Sequence, residues 1–126
     1  MHRLAWTILG GLLAAAPLAA QQPAPVDSIY DESIVSVRPE RISSPPAAYP
    51  DSLRQAGISG RVVVRVIIDT LGRAERESTT VGSSTNHGFD QAALAVVLGS
   101  RYSPGRIATR PVRTRVSIPI NFSVAR

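Results

Sequence analysis

From Val112 to Phe122 the chain alternates strictly, with Val112, Thr114, Val116, Ile118, Ile120 and Phe122 on one side, and Pro119 stands inside the run. Such alternation predicts an extended strand with one buried face. Proline has no backbone N–H, and a sheet tolerates it only at a bulge or where that donor would have faced away from a neighbouring strand. The run is therefore expected at the edge of its sheet. Backbone groups of alternate residues point to the same side of a strand, so Arg113, Arg115 and Ser117 share the outer line with Pro119. Open N–H and C=O groups along that line form a template for an incoming extended peptide. The stretch Val112, Arg113, Thr114, Arg115, Val116, Ser117 and Ile118 is accordingly the candidate peptide-binding edge.

Before that strand the chain has room for one domain. His2 and Arg3 precede an uncharged stretch, Leu4 to Ala20, that closes on small residues before Gln21. Residues 1–20 fit a signal peptide or a short membrane anchor, and either one exports the remainder of the chain. With no cysteine, the exported part has no disulfide or lipid-modified cysteine and depends on its core alone. The formal net charge is +5, or +4 without Arg3, and every basic residue is arginine. Nucleic acid is not an expected partner, because stacking aromatics are scarce and the leader directs export. Residues 21–46 are rich in proline and polar residues and read as a tether, reaching on the order of 80 Å when extended. Its weak apolar patch, Ile34 to Val37, is open to a second reading as a short strand or clasp.

Residues 47–126 carry the fold. Tyr49-Pro50-Asp51 opens a short helix that Gly57 ends, with proline in the first turn and an acid near the positive terminus. Arg61 to Asp69 alternates cleanly, placing Val62, Val64, Val66 and Ile68 inward and Arg61, Val63, Arg65 and Ile67 outward. Asp69 to Gly72 forms the hairpin turn, with Gly72 free to take the left-handed conformation. A polar return strand over Arg73 to Val81 and a loop over Gly82 to Gly88 come next. Phe89, Ala93, Val96 and Val97 then line one face of a second helix. A hairpin followed by a helical crossover gives an α+β fold: a three-stranded, antiparallel-type sheet in order 2-1-3, with two helices on one face.

Taken together, these features resemble the C-terminal domain of the TonB family of energy transducers. The resemblance runs from Tyr49 to Phe122 through Tyr49-Pro50, Gly57, Gly60, Val62 to Asp69 with Gly72, Ser83-Ser84, Phe89-Asp90, Ala92-Ala93, Tyr102, Pro104, Pro111-Val112 and Ile118-Pro119-Ile120-Asn121-Phe122. The chain departs from the family pattern at Ser100, where a large residue is usual, and at Thr109, where glycine is usual. The stretch from Gly72 to Ser83 is one residue longer than the family pattern and implies a bulge. What the resemblance implies is a domain that couples an inner-membrane motor to outer-membrane receptors, docking an extended receptor segment on its last strand. Tyr49, Pro50, Gly57, Gly60, Gly72, Asp90, Ala93, Pro104 and Pro119 would then be structural positions.

Chemistry elsewhere is sparse. His87 is the single histidine outside the leader, so neither a zinc site nor any cofactor is expected. Asp90 sits where a carboxylate caps a helix, and Ser83 and Ser84 have no placed base, so no enzyme is read here. Arg61 and Arg65 are expected to pair with Glu75 and Glu77 across the hairpin. The partner reading is an extended segment of an outer-membrane receptor or another envelope protein, with contact to the inner-membrane motor only if the leader is retained. A structural or assembly role, with the same edge forming a homodimer, is the alternative.

Overall fold

The computed structural model describes residues 28–124. The leader and its proposed cleavage or anchoring lie outside that range. Nine regular elements occur in order among the described residues: β1 (Ile29–Asp31), β2 (Arg41–Ser43), α1 (Asp51–Gln55), β3 (Gly60–Ile68), β4 (Thr80–Ser84), α2 (Asp90–Gly99), β5 (Arg101–Tyr102), β6 (Gly105–Ile107) and β7 (Arg110–Phe122). Single 3-10 turns occupy Arg76–Ser78 and His87–Phe89.

The central pairing joins β3 to β7 antiparallel over nine positions, from Gly60 opposite Phe122 to Ile68 opposite Thr114. β4 lies on the other side of β3, so β4-β3-β7 reproduces the expected 2-1-3 order. The inward line of β3 is closed to solvent, with Val62, Val64, Val66 and Ile68 all buried. It meets Val116, Ile120 and Phe122 of β7 and Ala93, Val96 and Val97 of α2 in one core. Burial of these side chains supplies the main favourable term for the fold, about 1.5–3 kcal/mol for each fully covered large residue.

The family-like positions have local causes. Pro50 precedes α1 with extended backbone, and Gly57 leaves the helix at φ +69°. Gly72 turns the hairpin at φ +83°, where Asp69 Oδ1 accepts the amides of Leu71 and Arg73. A Cβ at Gly60 would stand 2.5 Å from the Phe89 ring. That close approach lets Phe89 stack on Phe122 at 4.5 Å between centroids, with Tyr49 edge-on to both. The Tyr49 hydroxyl donates to the carbonyl of Ile58, fixing the exit of α1 against this cluster. At Ser100 the buried hydroxyl donates to the carbonyl of Val96 at 2.6 Å, and Tyr102 fills the core beside it and donates to the carbonyl of Val97. The left-handed residue before the last strand is Ala108, at φ 56°, rather than Thr109. Pro104 joins β5 to β6.

Three expectations change. The return strand does not run from Arg73 to Val81: one bridge joins Ala74 to Ile68, the 3-10 turn intervenes, and β4 begins only at Thr80. Glu75 donates its amide to the carbonyl of Ile67, and Ser78 Oγ accepts the Ile67 amide, so this irregular stretch still satisfies the β3 backbone. Gly82, Ser83 and Ser84, expected in the loop, are drawn into β4 instead, and the bulge falls at Gly82, between the pairs Val63–Ser83 and Val64–Val81. Finally, residues 28–46 do not stand off the domain as a tether. Val35 is buried, Ser36 and Val37 donate to the carbonyl of Arg106, and Ser103 donates to the carbonyl of Glu40. The clasp reading of Ile34 to Val37 matches this arrangement.

Candidate functional site

The two flanks of β7 are assigned by the ladder itself. Thr85 and Glu75 donate to the carbonyls of Arg61 and Ile67, so odd-numbered β3 residues turn their backbone groups toward β4 and even-numbered ones toward β7. Thr114, Val116, Ile118 and Ile120 of β7 face those even-numbered partners. The outer line is therefore Arg113, Arg115, Ser117, Pro119 and Asn121, as the proline requires.

That line is not open along its whole length. β1 runs parallel to it, with Ile29, Tyr30 and Asp31 opposite Arg113, Thr114 and Arg115, and Glu32 donates its amide to the carbonyl of Arg115 at 3.1 Å. On the opposite, β3-side flank, Val112 pairs with Gly105 of β6. Within the candidate edge Val112 to Ile118, only the outward backbone of Ser117 has no ladder partner among the described residues. Past it lie Pro119 and Asn121 on the same flank. The open section borders a groove of about 310 Å³ lined by Glu32, Arg38, Arg41, Tyr102 and residues 116–119. β1 is short for a local reason: Asp31 Oδ1 accepts the amide and hydroxyl of Ser33, and the Ile34 amide returns to the Asp31 carbonyl, turning the chain away from the sheet. Those hydrogen bonds from Ser33 hold the Asp31 carboxyl below its ordinary pKa, helped by the charges of Arg115 and Arg65.

The arginines divide. Arg113 makes a two-point contact with Glu75, Nε to Oε2 at 2.7 Å and Nη2 to Oε1 at 2.6 Å, with both side chains about a quarter exposed or less. Glu75 is thus not the partner of Arg61 or Arg65. Arg115 is exposed beside Asp31, and Arg65 lies opposite Ser117 on the same outer sheet face. The outer face is cationic where β1 leaves it.

A second polar cluster sits at the start of α2. Asp90 accepts from Ser84 Oγ at 2.7 Å and contacts His87 Nδ1 at 2.9 Å, and these two bonds, Ser84 first, lower its pKa. Contrary to expectation, Asp90 does not cap α2 through its own side chain. It pins β4 to the helix entry, while Asn86 caps the 3-10 turn by accepting the Gly88 amide. The carboxylate lies between the serine and the imidazole, so the ring of His87 does not reach Ser84 Oγ.

A short helix, an antiparallel hairpin, a longer helix and a long final strand with a partly open outer flank define a two-helix α+β domain. The model of the family described as "Gram-negative bacterial TonB protein C-terminal" matches residues 45–124. The chain belongs to this family. It is similar to the protein TonB of Vibrio cholerae serotype O1, at 30% identity over 109 residues, covering 86% of this chain and 42% of that protein. The chain thus spans less than half the length of that relative. The solution structure of the Pseudomonas aeruginosa TonB C-terminal domain has the same fold, with a TM-score of 0.57 at 22% identity over 70% of this chain and 88% of that one.

Alternation and the proline locate the outer line of β7 but not its occupant. Ile29-Tyr30 followed by Asp31-x-Ser33 is an extended pair ending in a side-chain turn, the signal that identifies β1.

Proposed function

We propose that this domain acts in the periplasm as a TonB-type interaction module, taking an extended segment of an outer-membrane receptor as an added strand on the outer flank of β7. The observation that carries this reading is the line Ser117, Pro119 and Asn121, whose outward backbone groups, on the flank away from β3, have no ladder partner among the described residues, with Ser117 and Pro119 bordering the groove. Ser117 and Asn121 offer outward N–H and C=O groups. Pro119 contributes only its carbonyl. Each added backbone bond is worth about 0.5–1.5 kcal/mol net, before ordering costs, so a segment of this length binds weakly and reversibly. The neighbouring Arg38, Arg41, Arg65 and Arg115 favour a segment that carries acidic groups.

The test is Ser117→Pro. Its amide faces outward, away from β3, so the domain should keep its fold by circular dichroism while losing affinity for peptides taken from the N-terminal segments of outer-membrane receptors. Unchanged affinity in a folded variant overturns the reading.

A further inference from the structure

We infer that β1 is an exchangeable internal competitor: the chain's own acidic segment, Ile29 to Glu32, holds the part of the β7 flank that an incoming strand needs, and binding requires its displacement. This rests on the strand-addition reading above and adds what controls access to that site.

Four observations support it. The occupied positions, Arg113 to Arg115, directly continue the open positions Ser117 to Asn121 on one flank, so a strand of more than a few residues reaching upward from the groove meets β1. β1 itself is weakly held: it pairs over three residues, Ile29 is 39% exposed and Asp31 is exposed. The strap behind it is held firmly, because Val35 is buried and Ser36 and Val37 bond to Arg106. A short ladder joined to a fixed strap can peel from the edge and return without the domain opening. Its tethering gives it a high effective concentration at the edge, so it competes with any free peptide. The chemistry is also matched. Asp31 and Glu32 bring carboxylates to an edge flanked by Arg115 and Arg65, so the internal strand occupies the edge with the charge expected of a partner.

The experiment uses the full chain and, as probe, a fluorescein-labelled peptide with the sequence of residues 27–33. Alternation places the Tyr30 amide on the β7 side with that of Glu32, so Tyr30→Pro removes a ladder donor from β1 and leaves β7 intact. Tyr30→Pro should bind the probe at least about tenfold more tightly than the unaltered chain, because the tethered copy no longer competes. By hydrogen exchange, the Arg115 amide should lose protection in that variant while the β3-facing amides of Thr114 and Val116 keep theirs, which separates strand release from unfolding. Equal, measurable affinity in both chains overturns the competitor and leaves strand addition standing. Binding to neither chain overturns strand addition itself. A probe that still binds Tyr30→Pro/Ser117→Pro as tightly as Tyr30→Pro also contradicts the shared site.

Discussion

Gly60, Asp90 and the Arg113–Glu75 contact show how single residues hold the elements that frame the site. At Gly60 a methyl group has no room beside the Phe89 ring, so Gly60→Ala should destabilise the domain by about 1–3 kcal/mol, read as a lower midpoint in urea. Glu75→Gln removes the charge that fixes Arg113. With both groups partly exposed, the loss should be about 1–2 kcal/mol in the same measurement. Asp90 gives a pH dependence with a definite sign. Its folded pKa is depressed by the bonds from Ser84 and His87, so the stability it contributes is present above its unfolded pKa of about 4 and is lost as pH falls through the lower folded value. Asp90→Asn should remove that part of the slope between about pH 5 and 2 in denaturation curves. An unchanged slope would show that the carboxylate is not held by those partners. None of these three contacts could be read from the sequence in full: Arg113 and Glu75 are 38 residues apart, and nothing in their local patterns links them.

The elements were legible where their periodicity was strong. α2 and β7 bury one face each, and the inward residues expected from alternation or helical spacing are found buried, Ile118 only partly; β3 departs at Ile67, which alternation places outward but which is buried where Glu75 and Ser78 bond its backbone. Legibility failed where backbone satisfaction is irregular. Between Ala74 and Thr79 the chain meets the hydrogen-bonding needs of β3 through one bridge, a 3-10 turn and the Ser78 hydroxyl, and no period marks such a mixture. It failed again over residues 28–46, whose composition suggests solvent but whose apolar contacts are made singly, by Val35, Pro39 and Pro45, beside backbone bonds that carry no sequence signal. Because the Phe89–Phe122–Tyr49 cluster ties α2, β7 and the entry to α1 together, Phe122→Ala should cost about 3–5 kcal/mol and lower the thermal midpoint of the whole domain. Ser33→Ala, by contrast, removes a donor to Asp31 and should loosen β1 with little effect on global stability, seen as faster exchange of the Tyr30, Glu32 and Arg115 amides while those of Thr114 and Val116 are unchanged.

At the scale of the molecule, the domain is a rigid sheet with one border divided in two. Its upper part carries the chain's own acidic strand, and its lower part lies beside a groove with arginines at its rim. A partner that adds to this border gains main-chain bonds from β7 and orientation from the surrounding charge, while the core beneath stays closed. Docking of this kind is weak, salt-sensitive and reversible, since few bonds form and the flanking charges are exposed. Strand addition is best probed by an NMR titration of the domain with a peptide from an outer-membrane receptor's N-terminal segment, in which every backbone amide of β7 is followed. Shifts and new exchange protection should appear at Ser117 and Asn121, with Arg115 changing partner as β1 leaves, and no change at Val116, Ile118 or Ile120 beyond small secondary shifts. Perturbation concentrated on the solvent face of α2, with the outer line of β7 unaltered, would show that the partner docks elsewhere and that the open flank is not the binding edge.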